Sequence, residues 1–150
     1  MVIVLGNDHA AVDMKFKIKE YIESLGHKVI NVGIDVTERC DYPDIAYKAC
    51  KEIVNKKADL GILICGTGLG MSIAANKVKG IRAVACVETF GARMAREHND
   101  ANVLCFGERV VGIETAKNLV KTFLEGKFAG AHHVARVEKI IAIENGTYKG

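Results

Sequence analysis

Leu60-Gly61-Ile62-Leu63-Ile64-Cys65-Gly66-Thr67-Gly68-Leu69-Gly70-Met71-Ser72 carries three signals in one stretch. Residues 60–65 are apolar throughout rather than alternating, as in a parallel-sheet strand covered on both faces. Three glycines within five residues follow. A helical run through Ser72 to Asn76 comes next. Similar short runs, most of them apolar throughout, lie at residues 2–5, 29–32, 81–87 and 103–106. Between them the period changes. Ala11, Met14, Ile18, Tyr21, Ile22 and Leu25 recur at steps of three and four, which puts one apolar stripe against a sheet. Lys15, Lys17, Lys19, Glu20 and Glu23 fill the opposite side, and Gly26 marks the stop. A second helix is expected near Pro43, capped by Asp41 or Tyr42, with Ala46, Ala49, Cys50 and Ile53 as its stripe. A later one, over 112–125, carries Ala116, Leu119, Val120, Phe123 and Leu124.

This alternation predicts an α/β fold: one Rossmann-like three-layer αβα domain over residues 1–150, with a five-stranded parallel sheet. A final helix, at about 132–145, is surplus to that sheet. Its stripe of Val134, Val137, Ile140 and Ile141 needs either the chain's own sheet or a partner subunit.

Hydrophobic residues make up 49% of the 150, which excludes a disordered chain. The net charge of +3 is too small to mark a nucleic-acid or membrane-surface binder. The five cysteines, at 40, 50, 65, 86 and 105, are odd in number and never spaced C-x-x-C, against a disulfide framework or zinc ribbon. With no leader-like N-terminus and no apolar run of ~18 residues, the expected location is the cytoplasm.

Ligands of open parallel sheets bind beyond the carboxyl ends of the strands. The segments there are Asn7-Asp8-His9, the 65–72 loop, Glu88-Thr89 and Gly107-Glu108-Arg109. The glycine loop suits an anion, because glycines leave N–H groups open to a close approach. It is not a Walker loop, since Met71-Ser72 stands where Lys-Ser/Thr is required. A dinucleotide fingerprint needs glycine where Met71 or Ile73 stands. Cys65 directly precedes the loop, where N–H groups favour a thiolate. Both the reactive and the buried-hydrophobe reading remain open for it from position alone, while the other four cysteines read as small hydrophobes. His27 reads as solvated, and Arg82, Arg93 and Arg96 as exposed charge. Arg109, at the functional edge, and Arg136, one turn beyond His132-His133, stand apart. No His/Cys/Asp/Glu spacing matches a metal-ligand pattern, so no metal is expected.

The ordered set Asn7-Asp8-His9, Asp41-Tyr42-Pro43, residues 65–77, Gly80-Ile81-Arg82-Ala83, His98-Asn99-Asp100-Ala101-Asn102-Val103-Leu104 and residues 107–112 resembles type B ribose-5-phosphate isomerases. That family sits in a superfamily with galactose-6-phosphate isomerase subunits and enzymes accepting allose 6-phosphate. The resemblance implies a cofactor-free aldose-ketose isomerase. In it Cys65 is the base, and the amides of Gly66, Gly68 and Gly70 hold the enediolate oxygen. Thr67 assists at a hydroxyl, and His98, helped by Asp8, opens the furanose ring. Asn99 and Tyr42 touch sugar hydroxyls. His9, Arg109 and Arg136 grip the phosphate in a cluster completed across a homodimer (or tetramer) interface. The family often carries arginine where this chain has His132, and imidazole loses its charge near neutral pH. Phosphate affinity is therefore expected to weaken above about pH 7. A phosphate- or nucleotide-binding module and a thiol redox sensor are the rival classes.

Overall fold

The computed structural model describes residues 1–150. Five parallel strands form one sheet in the order β2-β1-β3-β5-β4: β1 Val2–Asn7, β2 Lys28–Asn31, β3 Leu60–Cys65, β4 Ala83–Ala85 and β5 Val103–Gly107. Five of six α-helices cover it, namely α1 Val12–Ser24, α2 Tyr42–Val54, α3 Leu69–Ala75, α4 Thr89–Asn99 and α5 Ile113–Glu125; the sixth is α6 His132–Glu144. The three central strands are the apolar ones. Every residue of β3 and β5 is buried, because helices lie on both faces. Side chains from α1, α4 and α5 share one core with Ile3, Ile62, Leu104 and Phe106; those from α2 and α3 pack with Val4, Leu63 and Cys105 on the other face.

Edge strand β4 is shorter than its apolar run. The run at 81–87 yields only Ala83–Ala85, and Asn76 closes its free side. Asn76 Nδ2 donates to the Ala83 carbonyl at 2.8 Å, and the Ala83 N–H donates to Asn76 Oδ1 at 2.8 Å. This side chain stands in for a neighbouring strand at an edge where pairing would otherwise lie open.

The α5 stripe is buried as the period requires. Gly26, at φ +84°, ends α1 in the left-handed region that glycine adopts freely. One reading changes, and one left open narrows. Lys15 is fully buried, and its ammonium pairs with Asp35 of the β2–α2 loop. The Lys15 and Asn31 hydrogen bonds hold the Asp35 carboxyl below its ordinary value. The last helix does not pack on the sheet. Of its predicted stripe only Val137 is buried, whereas Val134, Ile140 and Ile141 stay about two-fifths exposed (40%, 42% and 38%). No helix is long and apolar enough to cross a membrane.

Candidate active site

The chain leaves β1 toward β2 on one side and returns to β3 on the other. That reversal opens the crevice in which doubly wound sheets hold ligands. Asp8 and His9 follow β1, and Cys65 ends β3. Asp8 Oδ1 accepts the Ala10 N–H at 2.9 Å and caps a 3₁₀ turn over His9–Ala11, so His9 is presented at the rim. The β2–α2 loop reaches over it: the Cys40 N–H approaches His9 Nδ1 at 3.5 Å.

Cys65 Sγ accepts the Gly68 N–H at 3.1 Å, while the amides of Gly66, Thr67 and Gly70 have no acceptor within the chain. The loop is held tightly from beneath. Gly68 lies at φ +80°, and a Cβ there would stand 2.7 Å from Phe106 Cα. Both conformation and space thus require glycine. A Cβ on Gly70 would stand 2.7 Å from Tyr42 Cζ, which puts the tyrosine ring over the loop. Arg109 lies against Gly66, with Nη1 3.3 Å from where its Cβ would be. Thr67 Oγ1 accepts the Leu69 N–H at 3.3 Å. Helix α3 starts at Leu69, earlier than Ser72, and has seven residues.

The cysteines separate by environment. Burial pushes the Cys50 thiol up to about 12 and raises Cys105 and Cys86, the last also through Glu88. Those groups stay protonated. Cys65 alone has a backbone N–H directed at its sulfur. It is 5% exposed, and neither of the two largest cavities borders it. One, of about 600 Å³, lies between α6 and the β4 edge, lined by Arg82, Asn99 and Ile140 among others; the other, about 630 Å³, lies between α2 and α3.

The remaining predicted residues are elsewhere, so the base, the oxyanion loop, the ring-opening histidine and the phosphate-binding residues do not share one sheet edge within a single chain. Helix α4 leads into the start of β5, and its last residues, His98 and Asn99, lie beside the amino ends of the strands. The five residues of β5, at ~3.3 Å each, put roughly 17 Å between that edge and Gly107, which packs under Thr67. Helix α6 begins at the same far edge. His132 and Arg136 are exposed in its first turns, within the helix expected at about 132–145. The chain therefore carries two separate groups: Asp8, His9, Tyr42, Cys65, Thr67, the loop glycines and Arg109 at the carboxyl edge, and His98, Asn99, His132 and Arg136 at the amino edge.

His133 is the residue that sequence reading left without a role. It is 7% exposed and stacked on His98, with ring centroids 4.1 Å apart and planes 15° apart. Its other side meets the His132 ring at 4.0 Å. The paired histidines were visible in the sequence; that the second faces inward was not. Burial first, then the nearby His132, His98 and Arg136 charges, hold His133 below the usual imidazole value. The unfolded chain then binds the extra proton first as pH falls. This contribution to stability is complete above about pH 6.5 and declines below it. Melting temperature is expected to fall between about pH 7.5 and about pH 5 more steeply in the wild type than in His133→Phe. Parallel pH profiles would contradict it. No three His, Cys, Asp or Glu side chains converge as metal ligands do.

Residues 3–140 match the family model described as Ribose/Galactose Isomerase. The chain belongs to the ribose/galactose isomerase family. It is 47% identical over 142 residues to ribose-5-phosphate isomerase B of Escherichia coli, covering 95% of each chain. It is 44% identical to D-erythrulose-4-phosphate isomerase of Pectobacterium atrosepticum, over 92% of this chain and 91% of the other. Ribose-5-phosphate isomerase B of Clostridium thermocellum superimposes with a TM-score of 0.95 at 47% identity, covering 97% of this chain and 99% of that one. As a member of this family the protein is an isomerase on a parallel-sheet α/β fold.

Proposed function

We propose that the protein interconverts D-ribose 5-phosphate and D-ribulose 5-phosphate by proton transfer through an enediolate. It would serve the pentose phosphate pathway in the cytoplasm, as a homodimer or a tetramer of such dimers. The observation that carries this reading is the sulfur of Cys65 receiving the Gly68 N–H beside three amides that have no acceptor. A thiolate there takes the proton from C2 of the open-chain aldose and returns it to C1. The free amides stabilise the oxygen on which negative charge grows. Thr67 assists proton exchange between the two oxygens, and Tyr42 and Asn99 orient the hydroxyls. His98 with Asp8 opens the furanose ring. His9, Arg109, His132 and Arg136 hold the phosphate.

The two groups of residues lie at opposite edges of one chain, so a complete site requires Cys65 and its loop from one protomer and His98, Asn99, His132 and Arg136 from its partner. Two observations support this division: the low exposure of Cys65 with no large cavity beside it, and the unpacked apolar face of α6. A second chain would wall the crevice and cover α6, the helix whose face the sheet leaves free.

The test is a coupled assay of ribose 5-phosphate turnover in EDTA. Ribulose 5-phosphate should form at full rate. No turnover of ribose 5-phosphate with fast turnover of galactose or allose 6-phosphate would transfer the reading to six-carbon substrates. No turnover of any sugar phosphate, with nucleotide or phosphate binding by calorimetry, would make the protein a binding module.

Ring opening is separable from proton transfer. D-Erythrose 4-phosphate has its C4 oxygen phosphorylated and cannot close a furanose ring. His98→Asn is therefore expected to lower kcat/KM on ribose 5-phosphate by about 10²-fold and to lower it far less on erythrose 4-phosphate. Equal losses would remove ring opening from His98.

A further inference from the structure

Two arginines that read as exposed charge in the sequence are largely covered, and both end on one carboxylate. The side chains of Arg82 and Arg96 are 20% and 14% exposed. Arg82 Nη2 donates to Asp100 Oδ2 at 2.8 Å, and Arg96 Nη1 donates to Asp100 Oδ1 at 3.1 Å. The same guanidiniums close the end of α4. Arg82 Nε donates to the carbonyls of Asn99 (3.2 Å) and Asp100 (2.9 Å), and Arg96 Nη1 to that of Ala101 (2.7 Å). Helix ends leave carbonyls without partners, and cations are favoured there. Asp100 itself sits at φ 46°, ψ 41°, a left-handed conformation that a non-glycine residue adopts at a cost. Its N–H donates back to the Ala95 carbonyl.

We propose that Asp100, gripped by Arg82 and Arg96, is a positioning residue for His98 and Asn99; this rests on the reading of those two as ring-opening and hydroxyl-binding groups. The last turn of α4 is exposed on its Asn99 side and is anchored on the other by this bridge. The carboxylate keeps two guanidiniums together over three carbonyls. The left-handed turn it adopts ends the helix directly after Asn99. His98 is then held from below by the backbone and from the side by the His133 ring. Without the carboxylate the two cations no longer share an anchor, the last turn frays, and the imidazole leaves the stack. The Asp100 carboxylate is bonded to Arg82 and Arg96 and not to His98 or Asn99, so Asp100 acts through its neighbours.

The test uses the full-length protein and Asp100→Gly, which keeps access to the left-handed backbone and removes only the bridge. The readouts are kcat/KM on ribose 5-phosphate and the His98 ring-proton NMR signals, which stacking on His133 displaces from free-histidine positions. The expected result is a loss of about tenfold or more in kcat/KM together with His98 signals moved toward free histidine. Asp100→Asn, which keeps an acceptor for one arginine, is expected to fall between Asp100→Gly and the wild type in both. Wild-type signals, or a kcat/KM within about twofold, would each overturn the proposal. Should Asp100→Gly fail to fold, Asp100→Asn, which keeps the size of the side chain and removes its charge, takes its place, and the same two readouts decide. His98→Asn is measured alongside. If it leaves ribose 5-phosphate turnover intact, the role given to His98 has failed. If it is impaired while Asp100→Gly is not, only the positioning role has failed.

Discussion

Cys65→Ala is expected to fold as the wild type does and to turn over ribose 5-phosphate slower by roughly 10²- to 10⁴-fold, the range that one positioned acid-base group contributes. The side chain is small and ends a central strand, so removing its sulfur leaves the sheet register and the glycine loop in place. What disappears is the only thiol with a backbone N–H aimed at it. The other four do not substitute. Cys50 and Cys105 are sealed in the core, with thiols raised by burial, and Cys86 is raised as well; Cys40 lies on the loop over His9. Circular dichroism and melting temperature report the fold, and the coupled assay reports the loss. A Cys65→Ala variant with near-wild-type kcat would show that the proton is moved by another group. Peroxide sensitivity without isomerase turnover would instead favour a thiol redox sensor.

The second large effect comes from mixing two inactive proteins. If each site takes Cys65 from one protomer and His98 from its partner, a dimer of one Cys65→Ala chain with one His98→Asn chain has one site with both lesions and one with none. Random reassociation of equal amounts makes half of the dimers mixed, and half of the sites in those are intact. Activity should return to about one quarter of the wild type, although each parent has almost none. The measurement is ribose 5-phosphate turnover after partial unfolding and refolding of the mixture, compared with the parents treated alone. Failure to rise above the sum of the parents, with mixed dimers demonstrated by mass, would mean that each chain completes its own site. The geometry argues against that outcome, since about five residues of β5 separate the two groups.

The all-apolar runs of β1, β3 and β5 were legible because central parallel strands are covered on both faces, and their shortness and β-branched content set them apart from a buried helix. Helix α5 was legible for a similar reason: its stripe faces one core along its whole length. The edge strands were overread at 81–87, because an apolar run does not say where pairing stops. A single asparagine at position 76 decides that. The glycine loop was legible because only glycine tolerates both the φ of residue 68 and the contact with Phe106.

Spacing along the chain was silent on three matters. Lys15 had the period of a solvent-facing residue, yet its side chain is covered and its ammonium ends on the exposed carboxylate of Asp35 in a later loop. Arg82 and Arg96 looked like surface charge until the turn at Asp100 brought them onto one carboxylate. His133 is distinguished from His132 only by which way a helix that leaves the sheet happens to face.

By itself the sequence determined the strand-helix alternation, the glycine loop with its cysteine, and the types of residue that an isomerase needs. These follow from local rules, namely side-chain period, backbone freedom and chemical identity, which act within a few residues. The tertiary structure alone decided that those residues fall into two groups at opposite ends of the strands. A helix in a parallel sheet always returns the chain to the amino edge, so a residue that closes a helix and one that closes a strand cannot meet in the same copy of the fold.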